Sequence, residues 1–384
     1  MSAAAGRLRA FSFGRVMAIM AKEFIQMRRD RLTFAMIIGV PILQLVLFDY
    51  AINTDPKKLP TAVIVADYGP LERTIVAGLE TSGYFAIERD VATEAAAERG
   101  LARGDLSYIV TIPVDFGRAL VRGERPQILV EADATDPTAT ANALGALNEI
   151  VRTAVARETT GALGRLAPGT LPVEVVVHRR YNPEGISSYN IVPGLLGVIL
   201  TMTTILMTSL ALTREVERGT IENLLAMPAR PYEIMAGKII PYIGFGFVQV
   251  AVILVAGQLL FDVPMIGSLA LLLAATLLFI ASNVTLGYTI STVARSQMQA
   301  MQMTFFIFLP SMLLSGFMFP FRGMPGWAQA LGEAIPLTHF LRIVRGIMLK
   351  GATFGEVWRN VWPIVAIWAA LATLALLRYR RTLD

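Results

Sequence analysis

Six long, nearly uncharged runs, broken once by a charge-rich stretch over residues 53–188, constrain this chain more than any other feature. The first is LTFAMIIGVPILQLVLFDYAI, Leu32 to Ile52, with Asp49 its only charge. Five more follow Arg180: from Tyr189, from Ile239, Val263 to Ala294, Ser296 to Phe321, and from Val361. A helix crossing a hydrocarbon layer needs about 20 residues, and each run supplies that or nearly so. Buried helices of a soluble protein do not fit, because six such runs in a chain that is 54% apolar leave too little polar surface. The expected fold is a polytopic α-helical membrane protein with six transmembrane helices and an α/β extracytoplasmic domain inserted between the first and second spans.

Basic residues favour the cytoplasmic side. With six spans both termini share a side, and that side collects Arg7, Arg9, Arg15, Lys22, Arg28, Arg29, Arg31, Arg214, Arg218, Arg230, Lys238, Arg295, Arg378, Arg380 and Arg381. The opposite short loops hold only Arg322, Arg342, Arg345, Lys350 and Arg359. Both termini are therefore expected in the cytoplasm, and the net charge of +5 reflects topology, not a nucleic-acid partner. The first run starts too late and is too long for a cleaved leader, so a retained anchor is expected. Absence of cysteine excludes disulfides, thiolate metal sites and cysteine nucleophiles. With only His178 and His339, a zinc site or histidine catalysis lacks partners.

Between Asn53 and Ser188, short apolar runs alternate with helix-like ones. Thr61 to Asp67, Tyr84 to Glu88, Leu106 to Ile112, Gln127 to Asp133 and Val173 to His178 read as strands. PLERTIVAGLETSG and the segment from Pro137 to about Gly164 read as helices. This is the composition of a separate α/β domain. Nucleotide-binding and nucleophile-elbow patterns are absent from it. Glu131, Asp133 and Asp136 invite a calcium reading, but a strand end entering a turn fits better.

Ion-coupled transport needs an ionisable side chain near the membrane midplane, and these runs have none. Gln44, Gln249, Gln258 and Asn283 suit interhelical hydrogen bonds instead. No lysine falls in GxxxxGK[ST], so energy from ATP requires a separate ATPase. Its docking place is the loop TREVERGTIENLLAMPARPYEIMAGKIIPY. There Arg214, Glu215, Glu217, Arg218 and Glu222 form a charged face, Val216, Ile221, Leu224 and Leu225 an apolar one, and Pro228 ends the helix. The expectation is a short amphipathic helix, 214–228, parallel to the membrane. Its acidic residues argue against a helix that merely rests on lipid. A second amphipathic stretch precedes the first span, with Val16, Ile19, Met20, Phe24 and Met27 on one side. Lipid and protein contact both stay open for it.

Glu217 to Tyr242 resembles the cytoplasmic coupling loop of type 2 ABC exporter permeases, and Leu313 to Gly351 resembles that family's segment after the fifth span. The resemblance implies a layout of cytoplasmic elbow segment (1–31), first span (32–52), outer domain (53–188) and five further spans (189–384), with an outer re-entrant segment at 320–350. It places Glu215, Glu217, Arg218, Gly219, Thr220 and Glu222 on the coupling helix. It also implies a homodimer or paired related permease, an ABC ATPase subunit holding ATP and magnesium, and no cofactor in this chain. The large outer domain points to the multidrug branch in a bacterial inner membrane, with a membrane-fusion protein and outer-membrane channel as further partners. An amphipathic surface helix over Arg342 and Arg345 is the alternative to re-entrance.

The second run carries Gly194 and Gly197 with Thr201, Thr203 and Thr204, which suits close helix approach between subunits. The fifth carries Met298, Phe305, Phe306, Phe308 and Met312, an adaptable lining for apolar ligands or simply lipid-facing bulk. Thr201, Thr204, Phe305, Phe308 and Met312 are the expected pathway residues. A lipid-linked polysaccharide exporter, and a scaffold or sensor that transports nothing, remain as rival readings.

Overall fold

In a computed structural model of the chain, the described residues are 57–66, 69–88, 93–159, 173–217 and 231–381. The elbow segment and the first expected span, Leu32–Ile52, lie outside them. All the described residues belong to one unit, Ala51–Asp384.

Its first part is a five-stranded sheet. In chain order come β1 (Leu59–Val65), α1 (Pro70–Thr81), β2 (Phe85–Ile87), α2 (Glu94–Arg103), β3 (Tyr108–Ile112), α3 (Phe116–Val121), β4 (Gln127–Asp133), α4 (Pro137–Thr159) and β5 (Glu174–Arg180). The strand order is β2-β1-β3-β4-β5. β1 runs parallel to β2 and β3, β4 opposes β3, and β5 lies parallel to β4. The alternation of the strands decides which side chains reach the core: Ile128, Val130 and Ala132 of β4 point one way, with Ile75 and Leu79 of α1 and Leu147 and Val151 of α4 packed among them. The opposite face holds Ala62 and Ile109 against Ala97 and Leu101 of α2. Thr93 caps α2, its hydroxyl accepting from the Ala96 amide at 3.3 Å, and Gly104 ends it in the left-handed region at φ 77°. Helices α2 and α3 were not singled out from the sequence.

The second part is helical. It comprises α5 (Ser187–Glu217), α6 (Pro231–Phe261), α7 (Leu269–Ser291), α8 (Gln297–Leu314), a 3-10 turn (Phe321–Gly323), α9 (Gly326–Glu333), α10 (Pro336–Lys350) and α11 (Phe354–Arg381). Four helices among the described residues are long and apolar enough to cross a membrane: Ser187–Glu215, Pro241–Phe261, Leu269–Ser291 and Phe354–Ala375. The run expected as the fifth span, Ser296 to Phe321, differs. Its helix stops at Leu314, and the chain then turns through Gly316 at φ 83° into the 3-10 turn. Gln297, Gln299 and Gln302 make its first turns polar, and it is not among the four.

Helix α10 occupies the bundle core. Leu337, Phe340, Leu341, Val344 and Ile347 pack with Leu196 and Leu200 of α5, Phe279 and Ile280 of α7, and Ile364 of α11. The rings of Phe340 and Phe279 stack with centroids 4.0 Å apart. Close backbone approach needs glycine at two places. A Cβ at Gly287 would lie 2.8 Å from the Ile205 carbonyl oxygen, and one at Gly197 would lie 2.8 Å from Leu337 Cδ1.

Polar contacts join the sheet to the bundle. Lys350, at the end of α10, pairs through Nζ with Asp133 Oδ2 at 2.5 Å, donates to the Leu101 carbonyl at 3.1 Å, and lies over the Tyr181 ring. Arg322 donates to the Gly104 carbonyl at 2.6 Å, and Arg359 pairs with Asp105. Asp133 is the last residue of β4, and its Oδ1 accepts from the Thr135 amide and hydroxyl. Glu131 is paired with Arg180. The carboxylates that invited a calcium reading therefore include two already engaged by cations.

The side chains of Lys350 and Asp133 are only 8% and 14% exposed, so removing one leaves a buried charge unmatched. Lys350→Met is expected to destabilise the protein by about 3–5 kcal/mol, with partial recovery in the Lys350→Met/Asp133→Leu double variant. Arg359→Met, at an exposed pair, is expected to cost less than about 1 kcal/mol. Thermal unfolding in detergent, followed with limited proteolysis of the sheet, distinguishes these outcomes.

Candidate functional site

Helix α5 has 31 residues and so is about 46 Å long at 1.5 Å per residue, against a hydrocarbon layer of about 30 Å. At least one end must stand clear of the membrane. Arg214, Glu215 and Glu217 lie on its last turn, not on a separate helix beginning at 214 as expected. The reason is local. From Thr201 to Glu217 no glycine or proline interrupts the helix, and Thr213 Oγ1 returns a hydrogen bond to the Ser209 carbonyl at 2.8 Å. Arg218, Gly219, Thr220 and Glu222 lie outside the described residues.

The end of α5 is tied to the start of α8 by one residue. Gln297 Nε2 donates to Glu217 Oε2 at 2.7 Å, while Gln297 Oε1 accepts from Arg214 Nε at 3.3 Å. The Gln297 amide also points at Glu217 Oε2, 3.4 Å away. An amide side chain suits this place because it offers a donor to the carboxylate and an acceptor to the guanidinium together. Gln297 was not picked out from the sequence; its polarity at the head of an apolar run was the available signal.

The five expected pathway residues divide. Thr201 and Thr204 are 3% and 1% exposed, and their hydroxyls are spent on the carbonyls of Gly197 and Leu200 in their own helix. Phe308 lies in the bundle core, and Met312 packs against that core. Phe305 alone of the five is open, 46% exposed. It stands with Phe306 and Met298 on α8, while Ile191, Leu195 and Met207 are exposed on α5. The two helices are joined where Ser209 Oγ meets Thr304 Oγ1 at 3.1 Å. Thr203 of α5 donates to Gln249 Oε1 of α6 at 2.8 Å, so Gln249 serves as interhelical glue. Burial of Thr201, Thr204 and Phe308 follows from the inner face of α5 and α8 being the one turned to α7 and α10.

Residues 31–377 match the family model described as ABC-2 family transporter protein. This chain belongs to that family. The transporter is 27% identical over 369 residues to the "Probable multidrug ABC transporter permease YbhR" of Escherichia coli (strain K12), covering 96% of this chain and 99% of the relative. It is 30% identical over 378 residues to "Probable multidrug ABC transporter permease YbhS" of the same organism, covering 97% and 98%. It is also 26% identical over 355 residues to "ABC transporter G family member 20" of Dictyostelium discoideum, covering 90% of this chain and 47% of that larger protein. Among the described residues two features stand out as candidates for the work of such a permease: the Arg214–Gln297–Glu217 cluster and the exposed apolar side chains of α5 and α8.

Gln297→Glu places a carboxylate against Glu217 in an exposed setting. The expected result is a wider distance between spin labels at the ends of α5 and α8, with global stability changed by no more than about 0.5 kcal/mol. Pulsed electron resonance and thermal unfolding on the same variant check both halves.

Proposed function

We propose that this chain is the membrane subunit of an ATP-driven exporter that moves amphipathic, drug-like or lipid-like compounds out of the cytoplasm or the inner membrane of a bacterium. It works as a dimer, with itself or a related permease, and each copy engages a separate ATPase subunit that binds ATP and magnesium. The observation that carries this reading is the three-residue knot at Arg214, Gln297 and Glu217. A push delivered to the end of α5 reaches α8 through these hydrogen bonds, and both helices carry exposed apolar side chains. The relatives' printed names as multidrug permeases support the same reading.

In it, both termini lie in the cytoplasm, the α/β part lies outside, and a membrane-fusion protein with an outer-membrane channel continues the path in a double-membraned cell. Arg218, Gly219, Thr220 and Glu222 extend the docking surface beyond Glu217. Chemistry stays with the partner, since no phosphate-binding loop occurs in this chain. The open face of Phe305, Phe306, Met298 and Leu195 supports a dimer contact and pathway built from α5 and α8. Flexible methionines and aromatic rings accept varied apolar partners there.

Three measurements test this. The purified chain alone is expected neither to bind nor to hydrolyse ATP, and activity is expected only with the partner ATPase. Glu217→Arg is expected to leave membrane insertion intact while abolishing export, because a reversed charge at a docking surface costs up to several kcal/mol. Normal export by that variant overturns the coupling assignment. Phe305→Ala is expected to change substrate preference with the fold preserved, whereas Phe308→Ala, in the core, is expected to lose about 3–5 kcal/mol of stability. Efflux assays with several amphipathic dyes, beside thermal unfolding, separate the two.

A further inference from the structure

Two arginines of α10, three positions apart, meet different surroundings. Arg342 is matched: its Nη2 and Nη1 donate to the Glu333 carboxylate at 2.7 and 3.1 Å, and the guanidinium lies 4.5 Å over the Phe321 ring. Arg345 is not. Its Nη1 donates to the Gly316 carbonyl at 3.1 Å, while Nε and Nη2 are buried with no hydrogen-bond partner. Two carboxylates act on it from a distance, Asp136 and Asp133, and the second is engaged by Lys350.

An unmatched guanidinium in a low-dielectric interior is costly, and its planar fork of donors fits the paired oxygens of a carboxylate or phosphate. The surroundings offer a second polar group. A Cβ on Gly194 of α5 would come within 3.6 Å of Arg345 Nη2, so α5 passes directly over the fork. Asn190 lies one turn before Gly194 on the same face, and its Oδ1 is also buried without a partner. Its amide can turn to present either oxygen or N–H donors. The ring of Phe317 also lies against Gly194, and Ile191 and Leu195, each next in sequence to one of these α5 residues, are exposed, as is Met318 beside Phe317.

We propose that Arg345 and Asn190 receive the anionic head group, a phosphate or carboxylate, of an amphipathic ligand whose apolar part lies along Ile191, Leu195 and Met318. The inference rests on the export reading and narrows its substrate class. The head group supplies the oxygens that the fork lacks. The helix carrying Arg345 is the core of the bundle, so binding there bears on the whole packing of α5 against α10.

The test uses the full chain with its ATPase in phosphatidylcholine nanodiscs, titrated with NBD-labelled lauric acid, NBD-labelled phosphatidylglycerol and, as a cationic control, NBD-labelled dodecylamine. The wild type is expected to bind the anionic probes, and Arg345→Gln to weaken them by roughly tenfold or more while leaving the amine unchanged. Asn190→Asp supplies an internal carboxylate and is expected to weaken the same probes without lowering thermal stability, which keeps the test decisive if Arg345→Gln folds poorly. Preference for the phosphatidylglycerol probe assigns a bilayer lipid, and preference for the lauric acid probe assigns a free amphiphile. Unchanged anionic binding in both variants overturns the proposal, as does repair of Arg345→Gln by neutralising a carboxylate elsewhere in the chain. ATP-driven export of the two anionic probes is followed in parallel in vesicles. If the wild type exports nothing while anionic binding still depends on Arg345, the export reading fails and the site stands.

Discussion

The bundle depends on the burial of α10. Ten of its fifteen residues are buried, which places a short helix where only protein surrounds it. In a bilayer, lipid tails are as apolar as leucine, so helices associate through close packing and hydrogen bonds. The Phe279–Phe340 stack and the contact of Gly197 with Leu337 and Leu341 supply that packing. Thr338 Oγ1, donating to the Gly332 carbonyl at 2.7 Å, and His339 Nε2, 2.8 Å from the Glu333 carbonyl, fix how the helix begins. These bonds give the backbone groups freed at the break before α10 their partners.

Helix α5 runs from this core to the Arg214–Gln297–Glu217 cluster without a break, and each stretch of it faces a different neighbour. Gly194 meets Phe317 and Arg345, Gly197 meets α10, Ile205 and Thr208 meet Gly287 of α7, and Ser209 meets Thr304 of α8. A rigid rod held at so many points can turn or slide only by repacking several interfaces together. In the proposed exporter, this shared packing is what would carry a displacement at one end of α5 to its other contacts.

Much of the fold was legible because its signals are periodic. The five strands fall on the runs read from alternation and β-branched residues, and Pro70 with Glu72 marked the start of α1. Helix α2 escaped notice because it buries only Ala97 and Leu101, too little for a pattern. Helix α3 is a six-residue turn. The site was less legible. A run of apolar residues tells that a helix is in lipid or protein but not which side faces which, so Phe308, Thr201 and Thr204 were grouped with Phe305 although the structure separates them. The charged segment after Ala211 reads as a new amphipathic helix in one dimension, yet its first turn simply continues α5. Gln297 and Arg345 acquire meaning only through partners 80 or more positions distant, or through the lack of one, and no local pattern records that.

The join between sheet and bundle bears on how such chains can be recombined. Residues 53–188 look like a self-contained cassette, bounded in sequence and with a core of its own. Three of its attachment points, however, are backbone carbonyls or carboxylates at 101, 104–105 and 133, answered by Lys350, Arg322 and Arg359 far along the chain. A chimera that exchanged the cassette alone would set foreign loops against these three cations. Grafts between relatives should therefore carry residues 322, 350 and 359 with the sheet domain, as a discontinuous unit whose true boundary is electrostatic.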